Sequence, residues 1–192
     1  MTSGRVQLTQ SQTIGPFFHF ALLHGDQPKL VPPDHPSAIR IEGTVHDGAG
    51  EVVPDAMLEI WQANAAGRYT HPEDDREDLP LEGAFSGFGR LGTDSAGRFE
   101  FVTVKPGPVP GPEGQPQAPH VLVSVFARGL LDRLVPRIYF PDEETANAAD
   151  PILASIQDPA LRSTLVADAV DDRLLRFDIH LQGEDQTAFF DV

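Results

Sequence analysis

Tyr69 and His71 stand two residues apart in the segment Arg68-Tyr69-Thr70-His71, and His120 opens the run HVLVSVFAR. The chain has no cysteine, which excludes disulfides, thiolate zinc sites and cysteine nucleophiles and leaves His, Tyr, Asp and Glu as the possible metal ligands. His19, His24, His35, His46 and His180 show no ligand-pair spacing. The second tyrosine, Tyr139, lies inside the strand-like run RIYF, where a core or interface role is expected. Tyr69, His71 and His120 are therefore the side chains from which chemistry could be built.

These residues need a rigid frame, and the stretch Ile39 to His71 supplies its beginning. Ile39, Ile41 and Val45 alternate with Arg40, Glu42, Thr44 and His46, the period of a strand with one buried face. Asp47-Gly48-Ala49-Gly50 breaks the run. Ala56 to Gln62 is apolar on both faces, as expected of a strand inside a sheet, and the two runs read as a hairpin. Asn64 to Gly67 then ends the second strand and delivers Tyr69 and His71 to the rim, where β proteins commonly place function. Phe88 to Thr93 and Phe99 to Val104, joined by Asp94-Ser95-Ala96-Gly97, read as a second hairpin. Lys105 to Pro119 is dense in Pro and Gly and must be a loop. In the run that follows, parity puts His120, Leu122, Ser124, Phe126 and Arg128 on one face and Val121, Val123 and Val125 on the other.

Arg137 to Phe140 is a further short strand. Pro151 to Val170 carries apolar residues at helical spacing, broken at Asp158-Pro159, and is expected to form two short helices. Leu174 to Gln182 returns to alternation. About eight short strands with one helical excursion indicate an all-β, prealbumin-like β-sandwich. Residues 37–192 are assigned to this domain and residues 1–36 to an N-terminal arm and connector. Phe17, Phe18 and Phe20 suit the arm either to its own core or to a partner subunit.

At 192 residues the chain suffices for one domain with a sizeable core. Its net charge of −15 argues against nucleic acid as a partner. Without a long apolar run or a signal-peptide pattern, a soluble, cytoplasmic protein is expected. The acidic run Pro72 to Leu81 reads as a solvated loop without assigned function.

The runs LEIWQANAAGRYTH, FGRLGTDSAGRFEFVTVKPG, APHVLVSVFARG, RIYFPDE and RFDIHLQGE, with TQSQTIGPFF near the start, resemble the intradiol ring-cleaving dioxygenases almost end to end. Within that family they are most similar to the alpha subunits of its protocatechuate-cleaving branch. The resemblance implies a β-sandwich and Fe(III) chemistry held by two tyrosines and two histidines, hard donors suited to that ion. Tyr69 matches the first tyrosine and His120 the first histidine. Val109 and Leu122 stand where the second of each is expected, so no catalytic residue and no metal ligand is assigned to this chain.

The resemblance further implies an iron-binding beta subunit of the same fold, with a hetero-oligomer acting on protocatechuate and O2. Thr13, Gly15, Pro16 and Arg128 match the alpha positions that line the partner's substrate cavity. An arginine there would offset the repulsion between an anionic substrate and an acidic protein. Two other readings remain: a homo-oligomeric intradiol enzyme with an iron site altered to use Tyr69, His71 and His120, and a prealbumin-like binding module without catalysis.

Overall fold

The computed structural model describes Gly15 and residues 21–191. Among them, two sheets face each other across one core. In the first, β1 (Ala38–His46) is central: β4 (Arg98–Val104) pairs with it antiparallel, while β10 (Leu174–Arg176) and β11 (Ile179–His180) run parallel to it, and β9 (Asp168–Asp171) flanks β10. The second sheet is antiparallel, in the order β3 (Phe88–Gly92), β2 (Met57–Trp61), β7 (His120–Phe126), β8 (Arg137–Tyr139). A small ribbon of β5 (Val109–Pro110) and β6 (Pro116–Gln117) lies within the Pro/Gly-rich loop.

Alternation decides which side chains meet between the sheets. Ile41 and Val45 of β1, Phe101 of β4 and Ile179 of β11 oppose Leu58 and Ile60 of β2 and Val121, Val123 and Val125 of β7, each no more than 1% exposed. Apolar area of this extent, withdrawn from water, is the main stabilising term. Leu30 and Val31, in the proline-rich connector, are buried in the same core, and the Leu30 amide donates to the Val102 carbonyl.

Both expected hairpins are instead crossings between sheets, since β1 and β4 belong to the first sheet and β2 and β3 to the second. After the turn at Asp47 to Gly50 the chain does return to β1, with the Val53 amide donating to Val45, but Pro54 follows. Proline has no N–H to extend the ladder, and the chain leaves for the other sheet. The turn after β3 behaves likewise: Asp94 caps its own loop by accepting from the Ala96 and Arg98 amides, and β4 emerges beside β1.

The helical region begins earlier and ends sooner than its periodicity implies. It comprises α1 (Glu144–Ala149), α2 (Pro151–Ala154) and α3 (Pro159–Ser163), while Asp168 to Asp171, expected to continue the helix, is β9. Pairing with β10 through the turn Asp171-Asp172-Arg173 overrides a weak apolar period in which Val170 is left exposed. The run Leu174 to Gln182 is interrupted at Phe177-Asp178 without a change of register against β1, and there the Asp178 carboxylate accepts from the Thr44 amide in place of a ladder bond. Gly43 makes this possible, because a Cβ there would lie 2.0 Å from the Phe177 carbonyl oxygen. Among the described residues, no helix is long and apolar enough to cross a membrane.

Candidate functional site

The outer face of the second sheet carries the candidate residues in two rows set by strand register. Trp61 of β2 faces Leu122 of β7, which faces Arg137 of β8; two residues along, His120 faces Tyr139. Tyr69 reaches this face from the loop after β2 and stacks on Trp61, with ring centroids 5.8 Å apart and planes 5° apart, while His71 meets Trp61 edge-on. The loop is shaped by the Asn64 side chain, which accepts from the amides of Ala66 and Arg68. Gly67 has φ 81°, and a Cβ there would lie 2.2 Å from the Pro108 carbonyl oxygen. Only glycine lets the Tyr69 loop approach the loop that carries Val109 this closely.

The acidic run Pro72 to Leu81 is a largely exposed loop, as expected, and it is held in shape from within. Asp74 accepts from the Tyr69 amide at 2.8 Å and from Arg76 Nε at 2.8 Å, Arg76 donates to the Gly67 carbonyl, and Arg68 and Asn64 donate to the carbonyls of Leu79 and Pro80. The Arg76 guanidinium, with the Tyr69 amide, holds the Asp74 carboxyl well below the usual carboxylate range. The folded-back loop walls an open groove of about 430 Å3 lined by Trp61, Tyr69, His71, Asp74, Arg76 and their neighbours. A larger cavity of about 730 Å3 lies at the open edge of the sandwich between β3 and β4, among Leu91, Phe99 and charged residues such as Arg98 and Glu100. None of the residues matched to the ligand set lines it, so the smaller groove is the one of interest.

His120 is 8% exposed, and its Nδ1–H donates to the Ala118 carbonyl at 2.8 Å, which leaves the lone pair on Nε2. Burial, reinforced by the nearby Arg137 guanidinium, lowers its pKa to about 4, so the imidazole is neutral at physiological pH. Burial raises the Tyr69 phenol, opposed by Arg137 and Arg76, and the phenol stays protonated. The Arg137 side chain is fastened by a 2.6 Å hydrogen bond from Nη1 to Gln117 Oε1, a 3.5 Å contact to the Tyr139 hydroxyl, and the face of Phe190 at 5.7 Å. Tyr139 is fully buried, as expected, and its hydroxyl donates to the fully buried Asp150.

The two-tyrosine, two-histidine set does not fit these residues. Tyr69 and His120 are on the face, but Val109 is an aliphatic side chain 4% exposed, and Leu122, one row from His120, offers no lone pair. His71 packs against Trp61 and accepts at Nδ1 from the Glu73 amide. Directly across from Leu122 stands Arg137, whose guanidinium donates hydrogen bonds but has no lone pair to offer a metal. The sequence reading did not single out Arg137 or Trp61. Their parity was legible, but their placement across β7 depends on register between strands distant in sequence.

Arg128 lies beyond the end of β7, turned at Gly129 with φ 85°, and its exposed guanidinium pairs with Asp55. Gly15 is exposed; Thr13 and Pro16, together with Phe17, Phe18 and Phe20, lie outside the described residues. Arg128 is thus at the opposite end of its strand from His120 and makes no use of the Trp61–Tyr69 groove.

A family model described as Dioxygenase matches residues 15–183. The chain is 43% identical to the protocatechuate 3,4-dioxygenase alpha chain of Pseudomonas putida, over 95% of this chain and 96% of that one, and 44% identical to the alpha chain of Burkholderia cepacia over 96% and 97%. It is also 38% identical to a Burkholderia cepacia protocatechuate 3,4-dioxygenase beta chain, over 78% of this chain and 66% of that one. Among solved structures, the hydroxyquinol 1,2-dioxygenase of Pseudomonas putida DLL-E4 shares the fold at a TM-score of 0.60 and 20% identity, over 94% of this chain and 69% of that one. The dioxygenase domain of a carbohydrate-binding fusion protein from Streptomyces sp. SirexAA-E does so at 0.57 and 24%, over 92% and 99%. Near end-to-end identity to two alpha chains, on a sandwich of this topology, places the chain in the intradiol dioxygenase family.

Proposed function

We propose that this chain is the metal-free alpha subunit of an Fe(III)-dependent protocatechuate 3,4-dioxygenase, located in the cytoplasm. It pairs with an iron-binding beta subunit of the same fold, and the complex adds both atoms of O2 to protocatechuate to give 3-carboxy-cis,cis-muconate. The iron, held by the beta subunit, supplies the ring-opening chemistry. This chain supplies pocket wall at the junction: Thr13, Gly15 and Pro16 from the arm and Arg128 from the end of β7, with the guanidinium drawing in the substrate carboxylate. Asp55 holds that guanidinium in place. The arm with Phe17, Phe18 and Phe20 packs on the partner.

One observation carries the reading. Val109 and Leu122 occupy half of the ligand positions in a chain that is 43% identical to an alpha chain over 95% of its length.

The test is expression of the full chain with and without a beta-type subunit, measuring iron per subunit and oxygen uptake with protocatechuate. The lone chain is expected to hold no stoichiometric iron and to be inactive, and the pair to be active with iron tracking the beta subunit. Tight iron in the lone chain, lost on Tyr69→Phe, would instead identify an enzyme with an altered site. Failure to associate with the beta subunit would favour a binding module.

A further inference from the structure

We propose that the Arg137 guanidinium is the resident cation of this site, standing beside Leu122 in the row Trp61–Leu122–Arg137, and that it excludes a metal ion even where the missing ligands are restored. The inference rests on the reading of this chain as the metal-free subunit.

Register puts Arg137 directly opposite Leu122, one row from His120, on the face to which Trp61 brings Tyr69. The side chain is built into the face at three points. Gln117 Oε1 accepts from Nη1 at 2.6 Å, the Tyr139 hydroxyl is 3.5 Å away, and the Phe190 ring lies under the guanidinium at 5.7 Å. Its charge is answered from below, because Tyr139 leads to Asp150, a carboxylate with no exposure to solvent. The positive charge of Arg137 is also felt by both remaining donors, opposing ionisation of His120 and favouring that of Tyr69.

A metal ion and a guanidinium cannot share this space at low cost. Arginine has five donors, no lone pair, and does not lose its proton, so it can neither ligate a cation nor step aside by neutralising. Two like charges in a partly buried site repel strongly. Loss of metal is then a matter of replacement as well as of missing ligands, and substituting Val109 and Leu122 alone leaves the barrier standing.

The experiment compares four forms of the full-length chain: unaltered, Val109→Tyr with Leu122→His, that pair plus Arg137→Gln, and that pair plus Arg137→Lys. Each is incubated with ferric citrate and desalted. Bound iron is measured by elemental analysis, and the visible tyrosinate-to-iron absorption is recorded. The two-substitution form and its Lys derivative are expected to gain little iron over the unaltered chain. The Gln derivative is expected to bind at least ~100-fold more tightly, the effect of lifting a unit charge from a partly buried cation site. Arg137→Met serves where the Gln derivative does not fold. The inference is overturned if removing Arg137 leaves iron uptake unchanged, at either a high or a low level, or if the Lys derivative binds as well as the Gln derivative. Iron already bound to the unaltered chain would refute the metal-free reading, a separate outcome.

Discussion

Replacing Asp150 should cost more stability than any other single change on the outer face of the second sheet. The carboxylate is fully buried between α1 and α2 and accepts four hydrogen bonds: Oδ1 from the amides of Ile152 at 2.9 Å and Leu153 at 2.8 Å and from the Tyr139 hydroxyl at 3.2 Å, and Oδ2 from the Ala118 amide at 2.8 Å. It is at once the N-cap of α2 and the clamp that holds the turn before His120. Loss of an N-cap alone costs roughly 0.5–2 kcal/mol. Asp150→Ala also strands the Ala118 amide and the Tyr139 hydroxyl in a dry interior, at roughly 1–3 kcal/mol for each unsatisfied group. Allowing for non-additivity, the expected loss is about 3–5 kcal/mol. Asp150→Asn should lose about 2 kcal/mol, because its amide nitrogen must face a donor when the oxygen keeps the other three bonds. Urea unfolding of the full-length chain, followed by fluorescence of the single tryptophan and by far-UV circular dichroism, measures both. In a double-mutant cycle with Tyr139→Phe, the hydroxyl and carboxylate should couple by about 1 kcal/mol. A loss below about 1 kcal/mol for Asp150→Ala, with the unfolding slope unchanged, would refute the clamp.

Gly43→Ala would drive a methyl group into the Phe177 carbonyl at 2.0 Å and the Phe99 ring at 2.7 Å, and should cost about 3 kcal/mol or more by the same urea assay. The Asp74 carboxyl is held below its unfolded value, so its stabilisation is present above the ordinary carboxylate pKa and is lost as pH falls through the depressed folded value. The melting-temperature gap between the unaltered chain and Asp74→Asn should therefore be largest near neutral pH and close on acidification; a gap independent of pH would contradict the Asp74–Arg76 pairing. In the assembled enzyme, Arg128→Ala should raise KM for protocatechuate by the equivalent of roughly 1–3 kcal/mol with a smaller effect on kcat. Catechol, lacking the carboxylate, should be nearly unaffected, and an unchanged KM for protocatechuate would remove Arg128 from the substrate contacts. Deleting Thr9 to Phe20 should abolish assembly while preserving the far-UV spectrum of the sandwich, and undiminished association would remove the arm from the interface.

Alternation along a run was sufficient to sort the side chains of a strand such as β7 onto two faces, because side-chain direction in an extended chain has a period of two whatever the strand pairs with. It sorted Val121, Val123 and Val125 onto one face and His120 and Leu122 onto the other, and so disclosed from sequence alone that an aliphatic side chain stands beside His120; that the valines are the ones turned into the core is seen in the folded chain. The position of Tyr69 at the rim was legible for the same local reason, since Asn64 and Gly67 end a strand through contacts within a few residues. Partnership between strands was not legible. Asp47 to Gly50 and Asp94 to Gly97 make the same tight turns whether the chain returns within a sheet or crosses to the facing one, and only packing of two apolar faces against each other selected the crossing. The acidic run after His71 is exposed to solvent, as charge runs usually are. Its order comes from Asp74 meeting Arg76 and the Tyr69 amide, a closure that composition does not encode. Arg137 shows the division most clearly. Its place on a short strand was evident, but its position across from Leu122 is a matter of register, settled when β8 docks on β7 and Tyr139 finds Asp150, contacts made only in the folded molecule.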